Sequence, residues 1–213
     1  MAPPANWEPF TNWPGLDANR WWAQGGVYNY QWNRFDPVYV YWDLSLFNAP
    51  GTELWTDYRI EARMKDSKES NFKRGLSGIW FRASAESSGA MDGESVGGYY
   101  LMMRPFSSDP ALMDRLFLYR VPKDEPAFDV ASVVDRYHYT PGIGRKKWYD
   151  VVIEVEGNHI EVWFGRPDEG EPMVKAIDWY DTFPAGAWNS GSVGFVTYAT
   201  TARYDYIKVL PLP

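Results

Sequence analysis

Apolar and polar residues alternate with a period of two along most of this chain. Such alternation, interrupted by Gly, Pro, Asn and Asp, is typical of β-strands with one side on a core. The clearest predicted strands are residues 38–47, 58–65, 77–83, 98–104, 115–121, 148–156, 159–165, 192–198 and 204–209, with weaker strands within 21–32. Apolar residues at helical spacing are almost absent. Many strands without a long helix predict an all-β fold, an antiparallel two-sheet β-sandwich.

One hairpin can be predicted down to its register. Gly157-Asn158 stands between two alternating segments, and Gly at the first central position favours a two-residue type II′ turn. That turn places Glu154 opposite Glu161 and Val152 opposite Trp163. The apolar side of the hairpin should face the core, and it comprises Val151, Ile153, Val155, Ile160, Val162 and Phe164.

The two glutamates of this hairpin are the most chemically interesting pair in the sequence. Like charges directly opposite each other on adjacent strands are destabilising. Glu154 and Glu161 should therefore have a compensating partner, such as an arginine, a metal ion or a proton on one carboxyl group. The alternative is a solvated face, on which the repulsion is small and screened by salt.

The chain is unusually rich in aromatic residues, with 12 Trp, 15 Tyr and 11 Phe among 213 residues. Most must serve the core, but Trp and Tyr also suit half-exposed binding surfaces because their rings are amphipathic. The net charge of −7 argues against nucleic acid, which is bound through basic patches. The absence of cysteine excludes disulfides, thiolate metal sites and cysteine catalysis.

Neither a membrane span nor a division into domains is evident in the sequence. No apolar run approaches the roughly 20 residues that a transmembrane helix needs. Residues 1–6 have neither a basic start nor an apolar stretch, so we predict no signal peptide there and expect this segment to be flexible. The whole chain, residues 1–213, is predicted to form a single β-sandwich domain.

Several of the predicted strands match a known superfamily in order and spacing. The matching motifs are Ser77-Gly78-Ile79-Trp80-Phe81-Arg82, Gly98-Tyr99-Tyr100-Leu101, Trp148 to Gly165, and a last strand that ends Tyr204-Asp205-Tyr206-Ile207-Lys208-Val209. With these motifs the chain resembles the concanavalin A-like lectin/glucanase superfamily. The nearest pattern is the branch that holds the 3-keto-disaccharide hydrolase domains and the fructan-binding modules of carbohydrate-binding family 66. The resemblance implies a concanavalin A-like jelly roll over residues 54–210.

The resemblance also implies where a ligand would lie, because members of this superfamily bind on the concave outer face of one sheet. Alternation assigns to that face Trp80, Arg82, Tyr100, Met102 and Arg104, joined by Glu154, Glu161 and Trp163 if the hairpin lies in the same sheet. Aromatic rings stack on the apolar faces of sugars, and arginine pairs with their hydroxyls. The two arginines would then neutralise the glutamate pair. The alternative is a buried ion-pair network without a ligand.

We therefore expect carbohydrate binding, with oligosaccharides or polysaccharides as the partner class. The first alternative is a glycoside hydrolase in which Glu154 and Glu161 act as the two carboxyl groups. Tyr100 and Met102 speak against it, since hydrolase-like members of the branch carry a polar or acidic residue and Gln there, and no three-acid glycosidase motif occurs. The second alternative is a protein-interaction domain.

The sequence also gives expectations about a bound metal ion and about cellular location. Asp205 matches a position that often contacts a structural calcium ion in related sandwiches, and a single carboxylate equally suits a turn or edge. No cofactor is required by any motif. A carbohydrate ligand implies a secreted or cell-surface protein, and the sequence leaves the oligomeric state open.

Overall fold

The structure is a computed structural model, and it describes residues 5–11, 21–24, 27–30, 42–66, 75–85, 96–107, 109–121, 132–184, 186–198 and 200–212. Most of the segment that we expect to be flexible, residues 1–4 of 1–6, lies outside the described residues. Within the described part, no helix is long and apolar enough to cross a membrane.

Strands account for almost all regular structure in the described residues, and the helical segments among them are single 3-10 turns. In chain order the strands are β1 (Trp7–Thr11), β2 (Trp21–Gln24), β3 (Val27–Tyr30), β4 (Trp42–Phe47), β5 (Tyr58–Asp66), β6 (Leu76–Ala85), β7 (Val96–Arg104), β8 (Arg115–Val121), β9 (Ser132–His138), β10 (Tyr149–Glu156), β11 (His159–Arg166), β12 (Glu171–Tyr180), β13 (Ser192–Tyr198) and β14 (Ala202–Pro211).

These strands form two antiparallel sheets, so the predicted all-β sandwich is confirmed. Sheet A has the order β1-β4-β13-β6-β7-β8-β9, and sheet B has the order β12-β11-β10-β5-β14-β3-β2. The predicted hairpin is β10–β11 in sheet B, and its register is as expected, with Glu154 opposite Glu161 and Val152 opposite Trp163. Gly157 has φ of 55°, in keeping with Gly at the first central position of a type II′ turn.

The main core lies between the two sheets. Sheet A contributes Ile79, Phe81 and Leu101, which are fully buried. Sheet B contributes alternate residues of β5, β10 and β11, including the predicted apolar side of the hairpin. In sheet B, alternation with one side buried fixes the register, because a slip of one residue would move the apolar side chains of β5, β10 and β11 to the outer face.

A second apolar cluster lies on the outer face of sheet A, on the opposite side of β6 and β7 from the main core. Its members include Trp80, Tyr100 and Met102, and all three have no exposed surface. The central strands of sheet A are therefore buried on both faces. This explains the uninterrupted apolar run Ile79-Trp80-Phe81 at the centre of β6.

Three strands were not predicted from the sequence, namely β1, β9 and β12. β12 is an edge strand of sheet B whose pairing with β11 is irregular on both sides of Trp163 and Phe164. Charged residues and Pro172 interrupt its apolar positions, as is common for strands that protect a sheet edge. β9 is an edge strand of sheet A and lies outside the predicted strand ranges.

A candidate ligand cleft at one end of sheet A

The residues predicted to form one binding surface lie in two different sheets. Sheet A carries Trp80, Arg82, Tyr100, Met102 and Arg104, whereas sheet B carries Glu154, Glu161 and Trp163. The expectation that the hairpin joins the same surface is therefore wrong. Alternation shows which residues of a strand share a side, but it cannot show which sheet the strand belongs to.

Three of the sheet A residues are buried rather than presented to a ligand. Trp80 donates from Nε1 to the Gly97 carbonyl at 2.9 Å and packs edge-on against Tyr100. Met102 belongs to the same buried cluster. These side chains have no exposed face for stacking on a sugar, so any part they take in ligand binding would be indirect and stays a prediction.

The glutamate pair on sheet B has cations of its own. The guanidinium of Arg59 donates to Glu154 at 2.5 Å, and the ammonium of Lys175 donates to Glu161. Both partners come from the flanking strands β5 and β12. The expected compensation is thus present, but the two arginines of sheet A do not supply it. Trp163 stands beside this pair, with the Lys175 ammonium 5.3 Å from its ring centroid.

The predicted calcium ligand, Asp205, is exposed on β14. Its electrostatic neighbours include Arg63 and Lys65, both of which are cations. Calcium takes roughly six to eight oxygen ligands, usually with several carboxylates. Among the described residues, Asp205 belongs to no group of three carboxylate, histidine or cysteine ligands. The donor set at Asp205 therefore does not fit a calcium ion.

One group of metal-type ligands does occur in the described part of the chain, at His159, Glu161 and Asp178. His159 lies 2.8 Å from an Asp178 oxygen through Nε2 and stacks on Tyr180. The Lys175 ammonium binds both carboxylates of the group. A cation of the protein itself thus already occupies the position that a metal ion would take.

A cleft of about 480 Å³ opens at one end of the outer face of sheet A. Its walls are parts of residues 46–53 on one side and residues 186–192 on the other, with Ala83, Ser84 and Arg120 between them. The volume falls within the roughly 300–1,000 Å³ of small-molecule sites. Most of its polar side chains are uncharged: Asn48, Thr52, Ser84, Asn189, Ser190 and Ser192.

The wall formed by residues 186–192 was not singled out in the sequence. The segment from Asp181 to Gly191 has no alternation, so it reads as a plain loop. Its available signal is Trp188, a large aromatic residue among Gly, Ala, Asn and Ser. Trp188 is only partly buried, and it lines the cleft.

Arg82 holds this loop to the end of the sandwich. Its side chain is 1% exposed and donates to the carbonyls of Gly157, Trp188 and Thr56, and to the Asp57 carboxylate at 3.2 Å. The same Asp57 oxygen accepts from the Gly157 amide at 2.8 Å. Burial lowers the pKa of the Arg82 guanidinium, but arginine remains charged at any physiological pH. One cation thus joins the cleft loop, the hairpin turn and the segment before β5.

The backbone at Arg82 is shaped to turn its side chain inward. Arg82 has φ of 44°, in the left-handed region, and the pairing of β6 with β7 is interrupted there. Glycines flank it in β7 and directly before β13, and a Cβ on Gly98 or Gly191 would lie within 2.6 Å of Arg82 backbone atoms. Left-handed backbone at a non-glycine residue is costly and clusters at functional sites. The bulge turns Arg82 toward the loops at the end of the sandwich.

A second buried arginine, Arg120, secures the other side of the loop. It donates to Asp181 at 2.8 Å and to the Gly186 carbonyl at 2.6 Å. Tyr99 also donates to Asp181, at 2.5 Å, and accepts from the Trp188 amide at 3.1 Å. Burial, together with the hydrogen bond to Asp181, raises the pKa of the Tyr99 phenol, so it stays protonated as a donor. The charge of Arg120 is therefore balanced within the protein.

The Trp188 ring packs against β7 at Gly97, a residue without a side chain. Its Nε1 donates to the Val121 carbonyl at 2.8 Å. A Cβ on Gly97 would lie 2.1 Å from the Trp188 ring, so the ring rests directly on the glycine backbone. Only glycine at residue 97 allows this approach.

Replacing Gly97 by alanine is expected to displace the Trp188 ring and to weaken ligand binding in the cleft at least tenfold. The added methyl group overlaps the ring, which cannot move without breaking its bond to Val121. Tryptophan fluorescence and ligand titration would measure the two effects. The matched control is Gly144→Ala, since the nearest atoms to a Cβ there belong to the flexible Lys147 side chain, and residue 144 does not line the cleft. Equal binding by the Gly97 variant and the wild type would contradict the role of Trp188.

No protein-family model and no curated protein sequence matches this chain. Solved structures do match in fold. The carbohydrate-binding module CBM66 from Bacillus subtilis has 17% identity and a TM-score of 0.62, over 96% of this chain and 94% of that one. The legume lectin-like domain from Entamoeba histolytica has 8% identity and a TM-score of 0.63, over 98% of this chain and 91% of that one.

The lumenal domain of VIP36, solved with Ca²⁺ and Man3GlcNAc, has 8% identity and a TM-score of 0.62, over 98% of this chain and 84% of that one. The fold expected from the sequence motifs, a concanavalin A-like sandwich, is therefore confirmed.

Proposed function

We propose that this chain binds a carbohydrate in the cleft between residues 46–53 and 186–192. The observation that carries the proposal is the lining itself, in which small uncharged polar side chains surround a partly exposed Trp188. Sugar hydroxyls bind amide and hydroxyl groups, and their C–H faces stack on aromatic rings. Two of the fold neighbours, the module CBM66 and the VIP36 domain solved with Man3GlcNAc, bind carbohydrate, which supports the same class of ligand.

The charges of the cleft favour neutral sugar units at this position. Arg120 lines the cleft, but Asp181 balances its charge. Glu53 is the other charged residue of the lining, and it is exposed. A carboxylate-bearing sugar would thus meet no uncompensated cation there, whereas hydroxyl groups find both donors and acceptors.

Replacing Asn189 by alanine is expected to weaken glycan binding about tenfold, because a bidentate amide contact in a partly desolvated cleft contributes about 1.4 kcal/mol or more. Calorimetric titration against a panel of neutral oligosaccharides would measure the change. Thr182→Ala is the matched control, since Thr182 is exposed in the same loop and does not line the cleft. If no glycan of the panel produces a heat of binding with the wild type, the carbohydrate proposal fails and a protein-interaction domain becomes the favoured alternative.

The hydrolase alternative finds less support in the geometry. Glu154 and Glu161 lie on the outer face of sheet B, each beside its own cation, and neither lines the cleft. Their catalytic role stays a prediction, and release of reducing ends in the same titration mixtures would reveal it. A Glu161→Gln variant that releases product at the wild-type rate would exclude the pair.

Calcium and cellular location remain parts of this proposal. One fold neighbour was solved with calcium and another, the Emp46p carbohydrate recognition domain, in a metal-free form. Since the surroundings of Asp205 do not fit calcium, we propose binding that is unchanged by a chelator. We propose that the whole chain is a single sandwich domain and that, with a carbohydrate as its ligand, it is a secreted or cell-surface protein.

A further inference from the structure

Four basic side chains lie together on the outer face of sheet A, at the opposite end from the cleft. Arg104, Arg115 and His138 are direct partners across β7, β8 and β9. Arg136 is two residues from His138 and pairs with Phe117, a member of the outer-face cluster. Residues of one strand that are two apart share a face, so all four side chains lie on the same side. We call them the basic row.

The basic row has no counterion in the described part of the chain. None of its members has a carboxylate within ion-pair distance there, unlike Arg59, Arg63 and Arg166 of sheet B. The Arg104 guanidinium lies 5.1 Å from the Phe117 ring centroid, and its Nε is buried without a hydrogen-bond partner. Like charges directly opposite each other destabilise a sheet.

The nearby carboxylates are engaged elsewhere. Asp109 accepts from the Ala111 amide at 2.9 Å, Asp114 from the Ile143 amide at 2.7 Å, and Asp135 from the Arg136 amide at 2.7 Å. Each carboxylate therefore stabilises backbone rather than the basic row. The row is a concentration of positive charge on a chain whose net charge is −7.

We propose that the basic row is a second binding site, which takes the anionic groups of an acidic glycan. Neighbouring strands are about 4.8 Å apart, so the row presents cations over about 10 Å across three strands. That spacing suits successive charged units of a polymer. Guanidinium groups bind carboxylate and sulfate oxygens in bidentate fashion. The choice of a glycan over an acidic peptide rests on the proposed function, whereas the anion site itself rests on the row alone.

The two sites are separate. Arg115 and Arg120 stand at opposite ends of β8, so the basic row and the cleft are roughly 17 Å apart along the strand. One extended oligosaccharide could reach both, with neutral units in the cleft and an acidic unit on the row. Variants of one site can therefore be tested without disturbing the other.

The test uses three polymers that share one backbone, namely dextran, carboxymethyl-dextran and dextran sulfate. The wild type should bind at least one anionic form more tightly than dextran at physiological salt, and the two anionic arms separate carboxylate from sulfate recognition. Arg104→Gln with Arg115→Gln should lower that affinity at least tenfold. Arg104→Lys with Arg115→Lys keeps the charge and should still lose at least threefold, because the bidentate geometry is lost.

The matched control removes the same charge from sheet B, through Arg203→Gln with Lys208→Gln, and should change the affinity less than twofold. An equal loss in that control would overturn the proposal, because general electrostatic attraction would then suffice. Failure of both anionic dextrans to bind, or tighter binding of poly-glutamate than of either, would also overturn it. Asn189→Ala should leave the ratio of anionic to neutral dextran affinity unchanged, whereas Arg104→Gln with Arg115→Gln should lower that ratio, so failure of the cleft proposal and failure of this one are distinguishable.

Discussion

Replacing Arg82 by lysine is expected to lower the free energy of unfolding by about 3 kcal/mol. Lysine keeps the charge, but its single ammonium cannot reach the carbonyls of Gly157, Trp188 and Thr56 together with Asp57. Buried acceptors left without a donor cost about 1–3 kcal/mol each, although water reaches some of them. Urea unfolding followed by tryptophan fluorescence would measure the change.

The same variant should weaken glycan binding in the cleft at a temperature where it is still folded, because the Trp188 segment loses its anchor. Arg203→Lys is the matched control, since Arg203 is exposed on β14 and such surface exchanges usually stay within about 0.5 kcal/mol. If Arg82→Lys proves as mild as this control, Arg82 does not secure the three segments.

Replacing Gly78 by alanine adds a single methyl group, but we expect it to lower the free energy of unfolding by at least about 3 kcal/mol. A Cβ on Gly78 would lie 1.9 Å from the Leu101 carbonyl oxygen, which belongs to the backbone of the neighbouring strand β7. Neither strand can yield, because both are central to sheet A and the Gly78 carbonyl also accepts from Tyr204 at 3.1 Å.

Thermal unfolding of Gly78→Ala beside Gly170→Ala would test this. Gly170 has φ of 81° and a Cβ there meets nothing within 4 Å, so its variant carries only the left-handed backbone cost of about 1–2 kcal/mol. Comparable melting temperatures for the two variants would contradict the close approach of β6 and β7. The effect also explains a motif residue, since Ser77-Gly78-Ile79 is where the resemblance to the superfamily begins on β6.

The hairpin of sheet B was predictable because two independent signals agree there. The turn Gly157-Asn158 sets the register, and the alternation of apolar residues on both strands sets which side is buried. The opposed glutamates followed directly from that register. The cations that pair with these glutamates could not be predicted from the register, because Arg59 and Lys175 come from other strands that lie beside the hairpin in the sheet.

The binding surface was harder to predict, because alternation shows on which side of a strand a residue lies but not what covers that side. Trp80, Tyr100 and Met102 do point away from the main core, but that outer side is buried as well. The continuous apolar run Ile79-Trp80-Phe81 carries this information, since strands buried on both faces lack polar alternation. Arg82 was selected as a ligand contact, and in the structure it supports the loop that lines the cleft.

The cleft itself depends on contacts that no local pattern encodes. Trp188 meets Gly97 and Val121, and Arg120 meets Asp181, across 61 or more positions of sequence. A loop held by buried arginines has the composition of an ordinary loop. Its function becomes visible only when the fold brings these residues together.

The separation of the two outer faces has a practical consequence for handling the protein. Lys175 and Lys208 are exposed on the outer face of sheet B, and none of the lysines in the described part of the chain lines the cleft. Chemical coupling through amines at these two positions would tether the molecule by sheet B. Attached to a sensor chip in this way, the protein would turn its cleft toward the solution.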